Sequence, residues 1–205
     1  MSSVVLSGDT SGAITLSAPS VAGTNTITLP ANTGTVITTA SSAVVTQAML
    51  ASNVVGNGPT FSAYVSSNQS VSNNTGTTLA ANTKEWDTGT CYNNTGSTVT
   101  LNGLSVPAYC FCPNVAGYYQ FNASIQPGYS SLSRFGIFFS KNGTSSKRTN
   151  DLNSSLNNLG GNCIFYLNGT GDYVYIYGYI SASGTLTFNG GSDSSYFQGA
   201  MVRSG

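Results

Sequence analysis

Residues 173–180 read Tyr-Val-Tyr-Ile-Tyr-Gly-Tyr-Ile. A β-strand sends successive side chains to opposite faces. Tyr173, Tyr175, Tyr177 and Tyr179 therefore line one face, and Val174, Ile176, Gly178 and Ile180 the other. A sheet face left in water alternates apolar with polar residues, and this strand does not. Both faces need cover, and the core of a two-layer sandwich supplies it for one only. The segment 134–140 behaves similarly, with Phe135, Ile137 and Phe139 on one face and Phe138 on the other. The economical cover for the second face is another copy of the chain, which makes Tyr173, Tyr175, Tyr177, Tyr179, Phe135, Ile137 and Phe139 the interface candidates. A tyrosine platform that stacks on carbohydrate is the competing reading.

Around these strands lie others of the same kind. Short runs rich in Val, Ile, Thr, Tyr and Phe recur at Thr60–Val65, Thr98–Leu101, Tyr109–Cys112, Gly117–Ile125, Asn162–Leu167, Thr185–Phe188 and Tyr196–Arg203, separated by Gly, Asn and Ser. The 24 glycines supply tight turns. This pattern predicts an all-β sandwich or jelly roll over residues 59–205.

Residues 1–39 have a different texture. Ala13–Ser17, Thr26–Leu29 and Thr35–Thr38 read as tiny strands, and Ile14-Thr15-Leu16-Ser17-Ala18-Pro19 is echoed by Ile27-Thr28-Leu29-Pro30-Ala31-Asn32. A segment so poor in large apolar groups cannot close a core alone, so it is ordered by copies of itself, by another protein, or not at all. Residues 40–58 form a connector. Within it Ala43–Ala51 is the best helical stretch, with Val44, Val45, Ala48 and Met49 on one side. Two turns are marginal in isolation. A neck packed around a symmetry axis and an ordinary linker helix both fit. The leading residues carry no basic run and no long apolar stretch, so neither a secretory signal nor a membrane span is expected.

Charge excludes more than it suggests. Only 6% of the residues are charged, with six basic balancing six acidic. A neutral chain without a Lys/Arg cluster has no electrostatic grip on phosphates, so no nucleic-acid partner is expected. The absence of histidine removes the commonest general base and most zinc sites. Glu85 and Asp87 are the one close acidic pair. They are expected to share a strand face, solvent-facing beside a buried Trp86, rather than to oppose each other across a sugar. Asp172 and Asp193 read as turn caps. Cys110 and Cys112, at i and i+2, suit neither a mutual disulfide nor a zinc knuckle, and with Cys91 and Cys163 they read as buried small hydrophobes. No catalytic residue, metal or cofactor is expected.

Several of these runs occur together in a familiar order. Phe61-Ser62-Ala63-Tyr64, Trp86-Asp87-Thr88, Phe111-Cys112-Pro113-Asn114-Val115-Ala116-Gly117-Tyr118-Tyr119-Gln120-Phe121, Lys141-Asn142-Gly143, Gly171-Asp172-Tyr173-Val174 and Phe197-Gln198-Gly199-Ala200-Met201-Val202 follow one another. This set resembles the globular-head jelly roll of complement's first component, within the tumour-necrosis-factor-like superfamily. The resemblance, over residues 59–203, implies a ten-stranded jelly roll that forms a homotrimer around aromatic-rich strands; in such a trimer the helical stretch read above would place Val44, Val45, Ala48 and Met49 in a neck at the interface. Some relatives bind calcium, but no acidic cluster carries such a site over.

The N-terminal runs Gly8-Asp9-Thr10-Ser11-Gly12-Ala13-Ile14-Thr15-Leu16, Thr28-Leu29-Pro30 and Thr33-Gly34-Thr35-Val36 resemble a module of tailed-bacteriophage virion proteins. That resemblance implies a structural virion protein, assembled in host cytoplasm: a trimeric capsid decoration (cement) or head-fibre protein. Ile14, Leu16, Ile27, Leu29 and Val36 would then attach it to the major capsid protein or another virion protein. The alternative is a receptor-binding tail-fibre tip that recognises host-surface glycan.

Overall fold

Among the described residues the regular elements are strands, most of them runs of alternating apolar and polar residues bounded by Gly and Asn. The computed structural model describes residues 3–7, 11–17, 20–21, 23–24, 50–51, 54, 56–128, 132–153 and 158–205. The chain divides into two compact units, Met1–Val44 and Val45–Gly205. In the first, β1 (Ser3–Ser7) and β2 (Ala13–Ser17) form an antiparallel hairpin that sets Leu16 opposite Val4 and Ile14 opposite Leu6. The expected strands at 26–29 and 35–38, with Ile27, Leu29 and Val36, lie outside the described residues. So do Val44, Val45, Ala48 and Met49 of the expected neck.

The second unit begins with β3 (Thr60–Tyr64), β4 (Gln69–Val71), β5 (Thr75–Thr78), β6 (Thr83–Asp87), β7 (Val99–Leu101) and β8 (Leu104–Val106). It continues through β9 (Gly117–Ile125), β10 (Arg134–Lys141), β11 (Ser145–Leu152), β12 (Leu159–Leu167), β13 (Val174–Ser181), β14 (Leu186–Phe188) and β15 (Tyr196–Ser204). Two sheets carry the architecture: a five-stranded one ordered β12-β9-β15-β3-β6 and a four-stranded one ordered β11-β10-β13-β5. The pairs β3–β15, β5–β13, β9–β12 and β10–β11 are nested inside one another along the chain. A hairpin of strand pairs folded over in this way, alternating between two sheets, is a jelly roll. Nine strands make the layers, and β4–β14 and β7–β8 add two small ladders, where the sequence resemblance implies ten strands in all.

The main core lies between the sheets. Phe61 stacks between Tyr92 and Phe111, with centroids 4.7 and 4.6 Å away, and meets Phe197 edge-on at 4.9 Å. From the four-stranded sheet come Phe135, Ile137, Phe139, Val174, Ile176 and Ile180, all buried. Gly178 takes its turn on this inward face because Phe188 fills the space. A Cβ there would lie 2.5 Å from Phe188 Cζ and 3.1 Å from Ile125 Cδ1.

A second, smaller core lies on the other side of β13. Val106, Cys110 and Cys112 are buried there against Leu101, Leu104, Tyr173 and Tyr175. The segment that carries it is tied down at Phe111, whose amide donates to the Val174 carbonyl at 2.8 Å while the Val174 amide donates to the Phe111 carbonyl at 2.9 Å. Residues 109–112, expected as a strand, instead make single bridges to Tyr92 and Val174.

Overpacking the main core at its tightest strand is the direct check on this packing. Gly178→Ala is expected to lose about 1–3 kcal/mol of stability, read as a lower urea midpoint with an unchanged slope.

Candidate assembly surface

The acidic pair marked out in the sequence does not form a pair. A register shift in β6 sets Trp86 opposite Ser62 and Lys84 opposite Ala63, which leaves Glu85 as the bulged residue. Glu85 then accepts from Ser62 Oγ at 2.7 Å. The Asp87 carboxylate turns elsewhere, accepting from Lys84 Nζ at 2.8 Å and from the amides of Cys91 at 2.9 Å and Tyr92 at 3.1 Å. The two carboxylates therefore do different work, Glu85 tying β6 to β3 and Asp87 holding the turn that follows β6. Trp86, expected to be buried, is 48% exposed, and its Nε1 donates to Thr60 Oγ1. The bulge is the reason, since it turns consecutive residues to one face where an unbroken strand alternates.

Asp172 does hold a turn. It accepts from Lys141 Nζ at 2.7 Å, Asn142 Nδ2 at 2.7 Å and the Asn168 amide at 3.1 Å. Burial raises its affinity for a proton, but these bonds outweigh that and hold it below the ordinary carboxylate range. Asp151 is also held low, chiefly by the hydrogen bonds from Arg134. The four cysteines are free and buried. Burial pushes Cys91 and Cys112 up to about 11 and Cys110 and Cys163 up to about 12, so at neutral pH all four are protonated thiols and poor nucleophiles. Among the described residues, no three His, Cys, Asp or Glu side chains gather into a metal-binding group.

The expected interface residues fall into two sets. Phe135, Ile137 and Phe139 are completely buried inside the sandwich. They have no surface to offer a second copy, because the five-stranded sheet of the same chain covers them. Tyr173 and Tyr175 are half-buried under the β7–β8 hairpin of their own chain. Tyr177 stacks on Phe138 with centroids 4.8 Å apart and planes within 2°, and the Arg134 guanidinium lies 4.6 Å over the Tyr179 ring. The cover that β13 demanded is thus supplied largely from within.

The open apolar surface is on the other sheet. Within residues 56–128, 132–153 and 158–205, the exposed large hydrophobics are Trp86, Tyr118, Ile164, Tyr166 and Val202, all on the five-stranded sheet. Tyr118 and Tyr166 are directly opposed on β9 and β12, with ring centroids 5.3 Å apart. The next two rows inward pair Gln120 with Ile164 and Ala200, then Asn122 with Asn162 and Gln198. The side-chain amides of Gln120, Asn122, Asn162 and Gln198 find no hydrogen-bond partner among the described residues. Across β9 and β12 this outward face carries no charge. The periodicity of β9 and β12 contains the face, since Tyr118 and Ile164 stand at positions a solvated sheet fills with polar residues.

No protein-family model matches the chain, and no curated protein matches it. Among solved structures, the globular domain of zebrafish complement 1qA protein is similar at 16% identity and a TM-score of 0.45, covering 72% of this chain and 98% of its own. Murine APRIL, at pH 5.0, is similar at 11% identity and a TM-score of 0.47, with 70% and 98% covered. The Eiger TNF of S. frugiperda gives 8% identity and a TM-score of 0.39, with 72% and 95% covered.

The shifted groups set the pH limits of stability. Asp151 and Asp172 have lowered folded values, so their contribution is present above the ordinary value of 3.8 and is lost as pH falls below it. The thiols have raised values, so their contribution is present below 9.0 and is lost as pH climbs through 11 and 12. Thermal midpoints are expected to hold level between about pH 4 and pH 9 and to fall on both sides, read by circular dichroism across buffers.

Proposed function

We propose that the chain is a non-enzymatic structural protein that works as a homotrimer, with the outward face of the five-stranded sheet packed between copies. The observation that carries this reading is the exposed aromatic and amide-bearing surface built by the neutral side chains of Tyr118, Gln120, Asn122, Ile164, Tyr166 and Gln198. β9 and β12 themselves bring no like charge to such a contact; Arg203 near the Tyr118 ring and Lys141 near the Tyr166 ring are cations beside it. The rings contribute apolar burial at about 25 cal/mol per Å², and the amides gain partners they lack within one chain. A stoichiometry of three follows from the resemblance to complement globular heads.

Placement on a virion rests on the resemblance of residues 8–36 to tailed-phage modules. In this reading the β1–β2 hairpin and the residues after it bind the major capsid protein or another virion protein, and the jelly roll projects from the shell.

Sedimentation equilibrium of the purified chain is expected to give three copies per particle, unchanged in high salt because few charges lie at the contact. Arg substitutions at both Tyr118 and Ile164 should yield a folded monomer, since both side chains are exposed. Tyr175→Ala, under its own hairpin, should cost about 2 kcal/mol of stability while leaving the particle mass unchanged. A monomeric wild-type chain at micromolar concentration would sink the assembly reading. On virions, tens to hundreds of copies against the major capsid protein fit the shell, and a handful fits the tail and host recognition.

A further inference from the structure

The aromatic sheet face has a counterpart of different character. Beside β10 and β11, on the four-stranded sheet, lies an open recess of about 620 Å³ lined by Arg134, Arg148, Thr149, Asn150, Asp151 and Asn153. Every lining residue is polar or charged, so a ligand here is recognised by hydrogen bonds and charge rather than by apolar burial. The volume suits one or two sugar rings and is far too shallow and open for an apolar cofactor.

The charges in the recess do not cancel. Arg134 makes a two-pronged contact with Asp151, Nε to Oδ1 at 2.9 Å and Nη2 to Oδ2 at 2.7 Å. Arg148 Nη1 adds a third bond to Oδ2 at 2.9 Å. Two guanidinium groups face one carboxylate, leaving a net charge of about +1, in a chain with only six basic residues. Arg134 is held in place by the Tyr179 ring beneath it and by Asp151 beside it. Arg148 is 59% exposed, and its Nε and Nη2 have no acceptor among the described residues. An Arg fork of this kind matches a carboxylate in a plane. A doubly charged phosphate would set its second charge against Asp151, which disfavours it.

The neutral groups in the recess suit hydroxyls. Thr149 Oγ1 makes only a long bond to the Ile137 carbonyl, 3.5 Å, and Asn150 Nδ2 a long one to the Gly160 carbonyl, 3.4 Å. Among the described residues Asn150 Oδ1 and the side-chain amide of Asn153 have no partner, so Oδ1 can accept from, and the Asn153 amide can donate to or accept from, a ring hydroxyl.

We propose that this recess is a binding site for an acidic sugar, with Arg148 holding the carboxylate and Asn150, Asn153 and Thr149 the hydroxyls. The site is on the sheet opposite the proposed assembly face, so it does not rest on the self-association reading.

Saturation-transfer NMR and calorimetric titration of the full chain test it, with sodium glucuronate, glucose, sodium acetate and inorganic phosphate as separate probes. Glucuronate is expected to bind saturably, with glucose and acetate each much weaker. Arg148→Gln should weaken glucuronate by about tenfold or more, while Arg203→Gln, outside the recess, leaves it unchanged. The thermal midpoint of Arg148→Gln reports that the exposed substitution keeps the fold. Acetate binding as tightly as glucuronate would reduce the site to a bare carboxylate contact and overturn the sugar assignment. Tighter phosphate binding, absence of glucuronate binding, or a glucuronate affinity indifferent to Arg148→Gln would overturn the proposal as well.

Discussion

β13 is a wall shared by two cores, and most of the domain is arranged around that fact. Its even-numbered residues Val174, Ile176 and Ile180 close the sandwich, while Tyr173 and Tyr175 on its back need a separate cover. The excursion between β6 and β9 supplies it. The chain leaves the five-stranded sheet at Asp87, builds the β7–β8 hairpin, and is pinned to β13 by the paired bonds of Phe111 and Val174 before it re-enters at Gly117. The carboxylate of Asp87 starts the excursion by bonding two amides beyond it. With the back of β13 covered from within, the five-stranded sheet is left holding the exposed aromatic residues.

The chain uses its few charges in fixed positions rather than as a solvated coat. Lys84 meets Asp87, Lys141 meets Asp172, and Arg134 and Arg148 share Asp151. Lys147 and Arg203 lie over the rings of Phe165 and Tyr118. Most of these contacts sit at a turn or an outer strand, so charge here fixes local geometry, and burial with neutral hydrogen bonds does the rest.

The strands with strict alternation were legible in the sequence: β9, β12, β13 and β15 stand close to where period-two reading puts them. β5 and β11 were not, because Thr75–Thr78 and Ser145–Leu152 are almost wholly polar. Both are outer strands of their sheet, paired on one side only, and an edge needs no apolar face to hold it. The surface was misread at two points for physical reasons. The requirement for cover on both sides of β13 was sound, but a requirement for cover does not say which atoms provide it, and the hairpin that does so lies some seventy residues upstream, counted from Tyr173 to Leu104. Trp86 was misplaced because a bulge erases the parity on which facing is judged. The recess at Arg134 and Arg148 had no local signal, since its two arginines come from neighbouring strands joined only by register.

The position of β15 carries a consequence for how the domain comes into being. β15 sits in the middle of its sheet, with β9 on one side and β3, made far earlier, on the other. During synthesis β3 is made long before β15, and until β15 follows it has only β6 of its two partners to bond. The same holds for the aromatic stack, because Phe197 is the ring that closes on Phe61. Contacts between residues this far apart in sequence cost more loop entropy and form slowly. The nascent domain is therefore an open clamp, its largest rings exposed until the closing strand docks, and its folding is committed late and all at once.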